Sequence, residues 1–405
     1  MEDTGHSIWY DCPPEILMKI FKYLDYNSLI SCMSVNKNWM RLSKCIAEDI
    51  GYTKIAEEGL YKYDNFKNRF KFEEDPLNII LNSLLWFKVN SCSTQKVYEY
   101  DVDDVKTISV YEDFLIICTK KCLKYYSVMG HDWITGNELQ CIYFEETEYF
   151  IAMLVHDSKK KKIQIILIGK ITGSDAHFNI SEVTDITSII ARTDISCFLI
   201  EKDQAFFICD KGILWKLMWT KNTWETKLVA RYYGNCTSLV TLHSYQDRLY
   251  ALCHWGRVFF IDVGALYFEK LCHFILPSYA SKTITPVFFH KHSLIVSVPS
   301  DMESKCTVLN VDDDEHVLLE RPGLTCVKIH SEALLLGYED GKVELCIQKK
   351  MVKNGQPDKI LYLRDFAAPE CDDLSVVGLD VHETEASHHL FIATRNKVYD
   401  ILLTY

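Results

Sequence analysis

The sequence predicts a helical module followed by an all-β body: a three-helix unit at residues 10–45, a helical linker at 46–95, and a seven-bladed β-propeller at 96–405. Three observations carry this. Apolar residues recur at helical spacing near the N-terminus, from Ile16 to Leu42. From about residue 105 onward a strand–turn–strand pattern recurs seven times, with a period near 45 residues. Hydrophobic residues make up 48% of the 405, enough for a small module and one large domain.

In the helical module, Pro13 and Pro14 suit the first turn of a helix and no later position. Glu15 then lies near the positive end of the helix dipole. Ile16, Leu17, Ile20, Phe21 and Leu24 fall on one apolar face. Asp25-Tyr26-Asn27-Ser28 interrupts the pattern, and Asn27 or Ser28 has the chemistry to cap the next helix. Leu29, Ile30, Met33 and Val35 make a second short face, and Trp39 and Leu42 a third. Three helices in about 30 residues cannot enclose a self-sufficient core. Part of this apolar surface must be covered by a partner or by the rest of the chain.

The order of residues from Cys12 to Leu42 resembles an F-box, with Pro13, Glu15, Ile16, Leu24, Asp25, Leu29, Val35 and Trp39 in register and Cys12 where Leu is usual. An F-box docks a Skp-type adaptor. The resemblance therefore implies a subunit of a cullin-based ubiquitin ligase, with Pro13, Ile16, Leu17, Ile20, Leu24, Leu29, Val35 and Trp39 as the adaptor-binding residues.

Beyond the module, Cys45–Tyr63 and Leu77–Trp86 read as helical, and no Gly/Ser-rich tether separates them from the repeats. The repeats are anchored at Tyr111, His156, Glu201, His243, His290, His330 and His382, each expected to end the first strand of a blade. A second strand comes next, then a tight turn such as Asp210-Lys211-Gly212, Trp255-Gly256 or Asp340-Gly341 into a third. A fourth is weaker, as at Glu225–Val229 or Lys359–Leu363. The last unit ends after Val398–Leu403 without a fourth strand, so Lys96–Asp101 is expected to pair beside it and close the ring. The period suggests propellers of WD-repeat type, although the regular Gly-His and Trp-Asp dipeptides are missing.

Composition narrows the function. A formal net charge of −12 argues against nucleic acid as the main partner, since phosphate binding needs a basic surface. The one basic run, Lys159–Lys162, has the composition of a nuclear import signal but reads in preference as a solvated turn. No run approaches the roughly 18 apolar residues of a membrane span, and nothing after Met1 resembles a secretory signal. The 16 cysteines then read as reduced thiols of a cytoplasmic or nuclear protein, with Cys118, Cys209 and Cys253 as packing residues at the ends of second strands. Cys118-x-x-x-Cys122 does not have zinc-site spacing, and the anchor histidines fall in different blades, so neither a metal nor another cofactor is expected. No nucleophile elbow, phosphate loop or dinucleotide fingerprint is present, so an enzyme is not expected.

The expected role is therefore a non-catalytic substrate receptor that presents an unidentified protein client for ubiquitination. The alternative is a scaffold that uses the same docking without driving client turnover. On a propeller the client face is expected to carry the turns after second strands and the loops between blades. That face would hold Lys120, Lys121, Tyr232, Tyr233, Trp255, Arg257 and Arg395, the aromatic and basic types that dominate interfaces, beside Asp103, Asp104, Glu145, Glu146, Glu339 and Asp340.

Overall fold

A computed structural model gives the fold. Residues 1–11, 25, 58–81 and 83–84 lie outside the described residues, as do many connections between strands beyond residue 111, the longest being 170–194.

The helical module consists of α1 (Pro14–Phe21), α2 (Tyr26–Met33) and α3 (Lys37–Glu57). Pro13 is extended (φ −53°, ψ 137°), and its carbonyl accepts from the amides of Ile16 and Leu17 at 3.0 and 3.2 Å. A proline pair thus opens the helix where amide donors would be unpaired in any case. The second helix starts at Tyr26, so Asn27 and Ser28 lie inside it and are not its caps. The cap that sequence reading missed is Asn36, whose side-chain oxygen accepts from the amides of Asn38 and Trp39 at 2.9 Å each and starts α3. Leu17, Phe21, Leu29, Leu42 and Ile46 form the centre of the module. The Phe21 and Trp39 rings meet edge to face with centroids 5.1 Å apart. The third helix runs unbroken through the boundary expected at residues 45/46. Of the expected Cys45–Tyr63 helix, residues 58–63 lie outside the described residues; of Leu77–Trp86, Asn82, Leu85 and Trp86 are helical.

The β body begins at β1 (Ser93–Asp101), three residues before the expected boundary. One four-stranded sheet holds β2 (Val105–Tyr111), β3 (Phe114–Thr119), β4 (Leu123–Ser127) and β5 (Asp132–Asn137). A three-stranded sheet holds β6 (Cys141–Glu146), β7 (Phe150–Asp157) and β8 (Lys162–Gly169). Four-stranded sheets are then built from β9 (Ile195–Glu201), β10 (Gln204–Cys209), β11 (Ile213–Thr220) and β12 (Thr223–Arg231), and from β13 (Leu239–Tyr245), β14 (Arg248–Cys253), β15 (Arg257–Asp262) and β16 (Glu269–His273). Next come β17 (Thr285–His290), β18 (Ser293–Val298), β19 (Lys305–Asn310) and β20 (His316–Val317), then β21 (Leu324–His330), β22 (Ala333–Tyr338), β23 (Lys342–Ile347) and β24 (Lys359–Tyr362). The last sheet combines both parts of the chain. It places β25 (Val376–Glu383), β26 (Ser387–Thr394) and β27 (Lys397–Thr404) beside β1, which runs antiparallel to β27 from Ser93↔Thr404 to Asp101↔Lys397.

Every described sheet is antiparallel and has its second strand in the interior. Leu115 and Ile117 of β3 pack toward the sheet containing β1, whereas Ile116 and Cys118 pack toward β6 and β7. In the same way Ile151 and Met153 face one neighbour, and Phe150 and Ala152 the other. Ala205 and Phe207 of β10 face back, and Phe206 and Ile208 forward. Both faces of these strands are buried, so they read as continuous apolar runs instead of alternating ones, by the same logic that makes doubly covered strands apolar throughout. Cores therefore lie between successive sheets, which hold one another face to face.

A second repeated feature is not visible in the sequence. In each described sheet the first strand carries a one-residue bulge near its start, at Lys106, Ile142, Ser196, Val240, Pro286, Thr325 and Val377. A bulged residue leaves the hydrogen-bond ladder, which is why a proline fits at 286. Thr325 uses the site to tie two sheets, its hydroxyl lying 3.0 Å from the Gly337 carbonyl and 2.5 Å from that of Val376.

The bulges and the sheet order correct one assignment. The first strand of the three-stranded sheet is β6, so His156 ends a second strand and not a first one. Sequence reading passes over β6 because it ends in two acids, and takes the strongly apolar β7 and β8 as first and second. Glu145 and Glu146 consequently sit at the end of a first strand, at the opposite end of their sheet from the turns that follow second strands, such as those that carry Lys120 and Arg395 in other sheets.

Candidate functional site

Two surfaces stand out. The first is the outward face of the helical module. On α1, Ile16 and Ile20 are four residues apart, which stacks them on one side, at 49% and 37% exposure. Tyr23 just beyond is 91% exposed, and Val35 and Met40 are exposed nearby in sequence at the α2–α3 corner. Five large apolar side chains exposed within 25 residues are more than single scattered ones, which are ordinary on a surface. Pro13 is exposed as well.

The eight adaptor candidates therefore divide. Pro13, Ile16, Ile20 and Val35 reach solvent, whereas Leu17 and Leu29 are at 1% and 0% exposure inside the module, and Leu24 and Trp39 are half-buried against the same core. Helical spacing puts all of them on apolar faces but does not say which edge of a face turns inward. Tyr23 continues the spacing of Ile16 and Ile20 but lies past the end of α1, and Met40 lies off the stripe of Trp39 and Leu42, so sequence reading selects neither.

The second surface lies where the turns after second strands meet the β1–β2 loop. Thr119 builds one turn: its hydroxyl oxygen accepts from the amides of Lys121 and Cys122 at 3.2 and 3.0 Å and donates to the Cys122 carbonyl at 2.8 Å, leaving Lys120 and Lys121 exposed. Thr394 holds the matching turn in the neighbouring sheet, accepting from the Lys397 amide at 3.1 Å and presenting Arg395. The β1–β2 loop bridges the two, since the amides of Val102 and Val105 donate to the carbonyls of Asn396 and Arg395 at 2.9 and 2.8 Å. Within this loop Asp104 takes a left-handed conformation (φ 53°) and pairs with Lys106 at 2.6 Å. The Lys106 hydrogen bond, with Lys120 and Arg395 adding attraction, holds the Asp104 carboxyl below its usual range. Glu339 and Asp340 are exposed at the corresponding turn of the preceding sheet. Here Gly341 has φ +79°, which a residue without Cβ adopts freely.

This surface gathers Lys120, Lys121 and Arg395 of the seven client candidates. Tyr232, Tyr233 and Trp255 lie outside the described residues, and Arg257 opens β15 with its side chain undescribed. The two anchor histidines with described side chains have separate partners. His330 Nε2 lies 2.7 Å from Glu383 Oε1, and His382 Nε2 lies 3.3 Å from Asp113 Oδ1. Among the described residues no group of three or more His, Cys, Asp or Glu side chains could hold a metal ion, and no helix is long and apolar enough to cross a membrane. Cys118 is buried at 1% exposure.

Residues 9–46 match the family model described as F-box-like. No curated protein matches the sequence. Among solved structures, the crystal structure of the computationally designed Ika8 protein aligns with 76% of this chain and 98% of its own, at 10% identity and a TM-score of 0.47, a likeness too slight to bear on fold or function. The chain thus carries an F-box-like domain at residues 9–46, which suggests docking to a Skp-type adaptor, ahead of a largely β-sheet body.

Proposed function

We propose that this protein is a non-catalytic substrate receptor of a cullin-based ubiquitin ligase. Its F-box-like domain docks the adaptor, and its β body, a seven-bladed propeller closed by β1 against β27, holds a protein client. The observation that carries this reading is the F-box-like match over residues 9–46 together with the exposed apolar side chains Ile16 and Ile20 on one side of α1, and Tyr23, Val35 and Met40. The receptor makes and breaks no bond. It raises the local concentration of client lysines near the charged ubiquitin carrier, an effect set by geometry. The client is proposed to contact the turn face around Lys120, Lys121 and Arg395, where Arg can meet a carboxylate or phosphate in a two-pronged bond.

Co-purification of the full chain with a Skp-type adaptor and a cullin tests the docking half, and failure to form a stable complex would overturn it. The scaffold alternative rests on the same docking and differs in outcome. Proteome-wide abundance after depletion separates the two: accumulation of a binding protein supports the receptor, whereas loss of an assembly without accumulation supports the scaffold.

A further inference from the structure

A buried polar cluster lies where the chain enters the β body. Trp86, from the segment that leads out of the helical part, is fully buried. Its indole nitrogen donates to Glu383 Oε1 at 2.7 Å, and its ring stacks on His388 with centroids 4.5 Å apart. The same carboxylate oxygen meets His330 Nε2 at 2.7 Å. His388 shares a hydrogen bond with the hydroxyl of Tyr405, the last residue, at 2.8 Å through Nδ1, while its Nε2 stays 3.9 Å from Glu383. That nitrogen and Glu383 Oε2 have no hydrogen-bond partner among the described residues. The cluster thus brings together five parts of the chain: the segment before β1, the ends of β21 and β25, the start of β26, and Tyr405. Val89 and Cys92 pack into the core behind it.

We propose that Trp86, Glu383, His330 and His388 form an acid-sensitive latch that fixes the segment between the F-box-like domain and the sheets, and that acidification frees this segment while the sheets stay folded. The charge inventory explains the direction. His388 is faced by Glu383 and His382 from β25, by His330 from β21, by its neighbour His389 and by Tyr405. His389 is itself taken by Asp400 at 2.8 Å, and His382 by Asp113. Burial is the largest influence on His388 and pushes it down to about 4, Glu383 opposing and the other three histidines assisting. Burial would raise Glu383, but the charge and hydrogen bond of His330, then His388 and Trp86, hold it at about 2. Glu383 therefore stays ionised while His388 titrates. A group whose folded-state value is depressed stabilises the closed form fully above its ordinary value of 6.5 and loses that contribution as pH falls from there toward 4.

Within the segment the amides of Lys88, Ser91 and Cys92 are hydrogen-bonded to Leu85, Lys88 and Val89, so hydrogen exchange reads its opening directly. The experiment measures exchange by mass spectrometry on the full chain, comparing residues 85–92 with residues 333–347 of β22 and β23 as the report of global unfolding. At pH 7.5, Trp86→Phe and Glu383→Gln are expected to raise exchange over 85–92 by roughly tenfold or more and to leave 333–347 unchanged. Unaltered exchange over 85–92 in both variants overturns the latch. If Glu383→Gln unfolds the whole chain, Trp86→Phe decides. Wild type is then compared at pH 7.5 and 5.5, with exposure times scaled to the intrinsic exchange rates. Faster exchange over 85–92 while 333–347 stays protected, and its absence in His388→Phe, supports acid release. Equal protection at the two pH values, or release that persists in His388→Phe, overturns it.

Discussion

Leu17 and Ile20 stand one turn apart on α1 and have opposite tasks. Leu17 is enclosed with Phe21, Leu29, Leu42 and Ile46, so Leu17→Ala leaves a cavity and should cost about 2–5 kcal/mol. In a module this small that is enough to melt the helices, and circular dichroism would show it. Ile20 is exposed, and Ile20→Asp should leave the melting curve unchanged while weakening adaptor binding by about 100-fold, the cost of placing a carboxylate in an apolar interface. A binding titration that gives wild-type affinity for Ile20→Asp removes α1 from the docking surface. Trp39→Ala belongs with Leu17, because its ring packs on Phe21. At Gly341 an added Cβ would lie 2.9 Å from Leu374 Cβ in a backbone at φ +79°. Gly341→Ala should therefore cost about 1–3 kcal/mol, read as a lowered denaturation midpoint, with no repair by repacking because the strain is in the main chain.

Among elements, β1 has the greatest leverage. It is the outer strand of a sheet whose other three members are the last in the chain, and its ladder of pairs extends from Ser93 to Asp101. Lys397 adds an ion pair to Glu99, which Lys96 also engages at 2.8 Å. A chain starting at residue 105 loses all of this and exposes β27 as an open apolar edge. It should be insoluble or strongly destabilised, whereas a chain starting at residue 82 keeps β1 and Trp86 and should fold without the helical module. Equal melting temperatures for the two would show that β1 does not hold the sheet. The strand runs are readable in the sequence because a strand buried on both faces needs apolar side chains at every position. The bulges are not, because they replace a hydrogen-bond geometry and require no particular side chain: Lys, Ile, Ser, Val, Pro and Thr all occupy them.

For the whole molecule, acidity is the informative variable. His388 at about 4 in the folded state, against 6.5 when free, favours the folded chain at neutral pH. By linkage this contribution falls by about 2 kcal/mol between pH 7 and 5 and by about 3 kcal/mol at pH 4. Glu383, held at about 2, adds a second loss only below about 4.5, as pH falls toward its folded value. Denaturant titrations of the full chain between pH 7.5 and 5 should therefore show falling stability, flattened in His388→Phe. A wild-type curve that is flat over this range would mean that His388 takes up its proton at the same pH in the folded and the unfolded chain.

What the sequence determined by itself is local. A proline pair followed by apolar residues at spacings of three and four forces short helices, and recurring apolar runs between turn residues force strands, because both patterns are set by a residue's near neighbours along the chain. The F-box resemblance belongs to the same class, since it rests on residues within one short stretch. Tertiary structure decided everything that depends on a distant partner. It turned Leu17 inward and Ile16 outward on the same helix, made β6 instead of β7 the first strand of its sheet, and joined Trp86 to a glutamate 297 residues away. Spacing along a chain shows which residues share a face. Only the neighbours that pack against that face determine whether it is buried, and those neighbours come from elsewhere in the sequence.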